Sequence, residues 1–190
     1  MVAILRSRVK TENFWLWPSG QLNFPDQPLL AEARITKDFF KRSLAVIVQE
    51  RRPAGVWCNA GYSDCYWFDN RGIAFKSAPR PEGSFIVTLD DPGREKIGGG
   101  DLVMRGDDWI NLRKIITSWL VSEKQIRHFV INRPQQEVVA KAGALEILLT
   151  WRFDPAVSLA ALKQLVAKNE FNLEKVNRLD LRVENRIYFR

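Results

Sequence analysis

Apolar residues in this chain fall into short runs cut apart by proline, glycine and aspartate, and that punctuation commits it to a fold of many short strands. "GVWC" at 55–58, "CYWF" at 65–68 and "GIAFK" at 72–76 are three such runs. The last two are joined by "DNRG", where Asp69 can start a turn through its side chain and Gly72 can follow it with a positive φ, so the pair predicts a hairpin. Before them Leu44, Val46 and Val48 alternate with Ala45, Ile47 and Gln49, which reads as a strand with one face buried; Pro53 ends it, because proline cannot donate to a ladder. "QIRHFVINR", "QEVVAKA" and "LEILLTWRF" follow later with the tight connections "RPQ" and "AGA", an antiparallel meander by pattern. The chain finishes in "NRLDLRVENRIYFR", again strand-like.

Three stretches carry helical spacing instead. "DQPLLAEARI" places Leu29, Leu30 and Ala33 on one face of a short helix after a proline. In "DDWINLRKIITSWLVS", Asp107 is a candidate N-cap and Trp109, Leu112, Ile116, Trp119 and Leu120 form the apolar stripe. Asp154 caps "PAVSLAALKQLVAKN", with Pro155 at the first helical position and Leu159, Leu162, Leu165 and Val166 facing inward. About nine short strands and about three helices, with successive strands mostly hairpin-linked, predict an α+β fold with a mostly antiparallel sheet.

At 190 residues, 46% of them apolar, the chain is long enough for one domain or two small ones. Its formal charge of +7 favours anionic neighbours such as a phospholipid surface, a wall polymer or nucleic acid. The basic residues are scattered, however, and most of the seven tryptophans fall on strand or helix stripes, so nucleic acid is not the expected partner. No run of eighteen apolar residues exists to span a bilayer, and the start, "MVAILRSRVK", lacks the pattern of a signal peptide.

Residues for catalysis are scarce. His128 lies in a strand-like run and reads as a residue facing solvent or a partner. The pairs Asp90–Asp91 and Asp107–Asp108 read as turn and cap residues. "GGG" at 98–100 lacks the Lys-Ser/Thr of a phosphate loop and reads as part of a mobile loop, "DDPGREKIGGGD". No enzyme and no cofactor are expected. Cys58 and Cys65 flank "NAGYSD" symmetrically, so a hairpin would set them within disulfide reach; two buried thiols and a metal site are the alternatives.

Three segments, "VIVQERRPAGVWC", "YWFDNRGIAF" and "LKQLVAKN" followed by "RLDLRVENRIYFR", together resemble the FtsQ/DivIB family of bacterial cell-division proteins, in matching order from about Asn13 to Arg190. The resemblance implies a partial POTRA domain over 1–53, lacking its first strand, most of its first helix and the preceding transmembrane anchor, and an FtsQ/DivIB-type β domain over 54–190. Glu50, Arg51, Arg52 and Pro53 would form the joint; a solvated strand end is the alternative. It further implies a single-pass protein of the cell membrane with this region extracytoplasmic, where a disulfide between Cys58 and Cys65 would persist. Its role would be a divisome scaffold in septation that holds FtsB/DivIC-like and FtsL-like partners by strand addition. The partner residues carried over are Arg182, Val183, Asn185, Arg186, Ile187, Tyr188, Phe189 and Arg190, with Ile187 and Phe189 packing inward and Arg186, Tyr188 and Arg190 facing out. Arg186 and Arg190 could instead only guard a soluble edge. A nucleic-acid or wall-polymer binding module is the competing function.

Overall fold

The computed structural model describes residues 13–22, 24, 26–59, 64–83, 85–94, 96–120, 126–167 and 176–190, the side chains of 119–120 and 166–167 excepted. The side chains of Trp119, Leu120 and Val166, and the middle of "NAGYSD", therefore lie outside what is described. The chain divides into two compact units, Met1–Arg51 and Arg52–Arg190.

Unit 1 holds a 3-10 turn, Phe14–Leu16, and an antiparallel sheet of β1 (Gly20–Leu22), β2 (Leu30–Asp38) and β3 (Ser43–Glu50) in that spatial order. The helix expected over 26–35 is not there: strand β2 takes its place. The reason lies in a register shift between Leu30 and Glu32. A bulge adds a residue to one strand, so Leu30 and Ala33 come to be buried together at a spacing of three that imitates a helix. Past the bulge the two-residue period returns, with Ala33 and Ile35 buried and Arg34 exposed.

Unit 2 is built on a nine-stranded sheet in the order β12-β11-β10-β9-β8-β7-β4-β5-β6. Its strands are β4 (Gly55–Cys58), β5 (Cys65–Phe68), β6 (Ala74–Ala78), β7 (Thr88–Asp90), β8 (His128–Asn132), β9 (Glu137–Ala142), β10 (Leu145–Thr150), β11 (Arg178–Asp180) and β12 (Tyr188–Phe189). Two α-helices accompany them, α1 (Gly106–Leu120) between β7 and β8, and α2 (Ala156–Ala167) between β10 and β11.

This corrects the expected fold class. The sheet is mixed: β4–β7, β7–β8 and β10–β11 run parallel, while the hairpin-linked neighbours run antiparallel. The described residues also hold two α-helices where three were expected. Both helices are crossover connections, and a strand that returns through a helix lies parallel to the one it left.

Both helices cover the same face of the sheet. Trp109, Leu112, Ile115 and Ile116 of α1 and Leu159 and Leu162 of α2 pack with Trp57, Leu89, Phe129, Ile131, Val138, Ala140, Ile147 and Leu149 in one core. At about 25 cal/mol per Å2 of apolar surface removed from water, a core of this size is the principal stabilising term. Asp107 and Asp108 stand in the first turn of α1, favourable to the helix dipole, instead of preceding it as a cap. Asp154 does cap α2, accepting from the Ala156 amide at 3.0 Å.

The turn between β5 and β6 shows how tightly local chemistry and the core are joined. Asp69 Oδ1 accepts from the Arg71 and Ile73 amides, each at 2.9 Å. Gly72 has φ +75°, and a Cβ there would stand 2.8 Å from the Trp109 ring, so glycine is required twice over.

Candidate partner-binding edge

β12 ends the sheet order and pairs with β11 alone among the described strands, Leu179 opposite Phe189 and Asp180 opposite Tyr188. The reversal between β11 and β12 runs through Val183, whose carbonyl accepts from the Arg186 amide at 3.2 Å, and through Asn185 at φ +60°, a conformation that asparagine tolerates better than most residues. Ile187 is half-buried and packs against the core, which anchors the strand. Tyr188, Phe189 and Val183 are exposed at 49%, 64% and 45%. Phe189 therefore does not join Ile187 in the core as its place in the alternation had suggested.

Arg182 is not presented outward as a loose cation. Its guanidinium donates to Asp180 at 2.9 and 2.6 Å and to Glu137 of β9 at 2.9 Å, clamping the β11–β12 reversal onto the sheet. The Asp180 carboxyl is held below the usual carboxylate range, first by the hydrogen bond from Arg182, with burial opposing it. Arg186 reaches Tyr188 Oη at 3.4 Å on the exposed side. Arg190 exchanges both backbone hydrogen bonds with Arg178, 3.0 and 3.2 Å. By the two-residue period the Tyr188 backbone also faces β11, so a proline at 188 would cut β12 from its own sheet and would not act on a partner alone.

The depressed pKa of Asp180 carries a pH expectation. A carboxyl whose folded pKa lies below its unfolded value of about 3.9 adds stability above that value and loses it as pH falls through the folded pKa. Acidification from about pH 5 downward should lower the urea midpoint less steeply in Asp180→Asn than in the parent. Identical slopes for the two proteins would remove Asp180 from the acid response.

The proposed joint, Glu50 to Pro53, spans the division of the chain into its two units. Glu50 closes β3 opposite Leu30. Arg51 bonds back into unit 1, its amide to the Leu29 carbonyl at 2.9 Å and its Nε to the Pro28 carbonyl at 2.8 Å. Arg52 begins unit 2, and after Pro53 the Ala54 amide donates to the Phe68 carbonyl at 2.8 Å. Cys58 and Cys65, both buried, are disulfide-bonded across β4 and β5 with Cα atoms 4.2 Å apart.

Two features dismissed in the sequence turn out to be structural centres. Asp91 is wholly buried, its carboxylate accepting from Trp57 Nε1 at 3.0 Å and from Arg133 Nε and Nη2 at 2.9 and 2.5 Å. It is an ion-pair acceptor as well as a turn residue. Arg133 Nη2 also donates to the Val103 carbonyl at 2.7 Å, and Arg94 Nη1 to the Leu102 and Val103 carbonyls at 2.6 and 3.0 Å. The loop expected to be mobile is thereby tied down. Gly100 N bonds to the Ala74 carbonyl at 2.7 Å, Ala74 N to the Asp101 carbonyl at 2.8 Å, and Ile97 is buried.

His128 Nε2 lies 2.9 Å from Asp90 Oδ2, with Arg80 at 3.3 Å from the same oxygen. The Asp90 carboxyl is pulled below its usual range by the His128 hydrogen bond first and by Arg80 through its charge, against burial. So His128 is a strand residue whose ring bonds to Asp90 while its side chain, 43% exposed, still faces solvent. Among the described residues no group of three or more His, Cys, Asp or Glu side chains could hold a metal ion, and no helix is long and apolar enough to cross a membrane. No protein-family model matches the chain, and no curated protein matches it at a significant level.

Proposed function

We propose that this chain is a non-catalytic scaffold of the FtsQ/DivIB type, which holds FtsB/DivIC-like and FtsL-like division proteins on the extracytoplasmic side of the cell membrane during septal wall synthesis. The observation that carries the reading is the edge itself. A two-residue strand closes a nine-stranded sheet, with Ile187 seated on the core and Val183, Tyr188 and Phe189 exposed around it. An incoming strand gains affinity from main-chain hydrogen bonds and selectivity from alternate side chains. Tyr188 and Arg186 supply an aromatic surface and a cation of the kind that dominates protein interfaces. The ordered motifs from "VIVQERRPAGVWC" to "RLDLRVENRIYFR" are the second support.

The test is a photo-crosslinker introduced at Tyr188 in the native envelope, combined with Tyr188→Ala. The crosslink should capture a division protein, and Tyr188→Ala should weaken that complex roughly thirtyfold, about 2 kcal/mol, while leaving the unfolding midpoint near that of the parent. Capture of nucleic acid in place of protein, with affinity falling steeply as salt rises, would overturn the reading.

A further inference from the structure

The tip of the β2–β3 hairpin in unit 1 has a composition that neither a core nor an ordinary solvated turn explains. Its four loop residues are Phe39, Phe40, Lys41 and Arg42, and Phe40 is fully exposed. Phe39 is 57% exposed and its ring lies 5.8 Å from those of both Phe14 and Trp15, the latter 66% exposed. Phe14 and Trp15 meet edge to face at 5.5 Å. Adjacent Leu16 is exposed as well, so the aromatic cluster continues into an aliphatic rim.

This cluster is held in place by the surrounding bonds. Asp38 Oδ1 accepts from the Lys41 amide at 2.9 Å, fixing the loop, and Arg42 completes the reversal at φ +46°. Lys37 joins the two segments, its Nζ donating to the Trp15 carbonyl at 3.1 Å and lying 5.5 Å from the Phe14 ring centroid. Asn13 caps the 3-10 turn by accepting from the Trp15 amide at 3.0 Å. Displaying three aromatic rings in water is unfavourable, and a rigid display with cations around it marks an interaction surface.

We propose that this tip docks on an anionic phospholipid surface, with Phe39, Phe40 and Trp15 entering the headgroup and upper acyl region and Lys37, Lys41 and Arg42 contacting lipid phosphates. A hairpin turn that exposes Phe39 and Phe40 beside Lys41 and Arg42 suits a deformable anionic surface better than a rigid protein groove. Aromatic rings are favoured at the boundary between lipid headgroups and acyl chains. Lysine and arginine can lay their aliphatic stems along apolar surface while their charges stay in the aqueous layer. Binding of such an element grows with buried apolar area and with attraction to anionic lipid. The charge balance of the tip fits: Asp38 is the one carboxylate among Lys37, Asp38, Lys41 and Arg42, and it is engaged by the Lys41 amide. The tip can dock whether or not β12 receives a partner strand.

The experiment is co-sedimentation of the full chain with vesicles of mixed phosphatidylglycerol and phosphatidylcholine, and with phosphatidylcholine alone. The parent should bind the anionic vesicles. Phe39→Ser/Phe40→Ser should weaken that binding tenfold or more without moving the thermal midpoint, and Lys41→Gln/Arg42→Gln should weaken it and flatten its dependence on salt. A second measurement uses Phe40→Trp, whose added fluorescence over the parent should be quenched by lipids brominated in the upper acyl chain. Failure of the parent to bind would overturn the proposal. So would unchanged binding of the Phe39→Ser/Phe40→Ser variant, which would reveal adsorption by net charge, or an unquenched Trp at 40. Phe-dependent self-association without vesicle binding would assign the tip to a second copy of the chain instead.

Discussion

Arg133→Ala should cost unit 2 about 3–5 kcal/mol in urea unfolding, because it leaves a buried carboxylate without its principal counter-charge. Asp91 has no exposed surface and takes both of its strong, charge-assisted contacts from that one guanidinium. The same substitution frees the Val103 carbonyl and loosens the 92–105 loop. A double variant, Arg133→Ala/Asp91→Asn, separates the two contributions. It removes the stranded charge, keeps an acceptor for Trp57 Nε1, and should recover a substantial part of the loss. A loss below about 1 kcal/mol in the single variant would show that water or Arg94 already neutralises Asp91, and the account of the pair would fail.

Cys58→Ala/Cys65→Ala should lower stability by roughly 2–3 kcal/mol, the loop-closure entropy released when a short ring is opened in the unfolded chain. Alanine is the informative replacement here. Both sulfurs are buried beside Val56 and Ala78, and serine would add an unpaired hydroxyl to that small cluster. Unfolding of the parent with and without reductant gives the matching comparison, and the reduced parent should fall near the double variant. Coincident curves for the reduced and unreduced parent would mean that the bond contributes nothing to stability in solution.

Local chemistry was readable in the sequence and distant pairing was not. The Asp69–Gly72 turn and the Asp154 cap are contacts between near neighbours, and spacing alone exposes them. β2 was misread because its bulge places Leu30 and Ala33 together at helical spacing, and a single residue inserted in a strand has no signature in one sequence. β7 is three residues long and ends at an acidic residue, too short for any period to register. At the proposed edge Tyr188 is exposed as expected, whereas Arg182 is engaged by Glu137, 45 residues away in sequence. Asp91 and Arg133 stand 42 residues apart, and only the sheet order brings them together. The aromatic tip was in plain view as "KDFFKRS", yet without the hairpin nothing distinguished its rings from core residues.

The position of β7 bears on how unit 2 assembles in time. Apart from β11 and β12 at one end, the sheet holds two antiparallel meanders, β4-β5-β6 and β8-β9-β10, each able to form from neighbouring segments, and β7 is the strand that stands between them. It has no hairpin partner: it pairs in parallel with β4 and β8 alone, both reached through long stretches of chain. Closing such loops precedes any reward from the contacts they make, which slows folding in proportion to how non-local those contacts are. By this argument the two meanders should form early from local contacts, and the joining of Thr88–Asp90 between them should be the slower step.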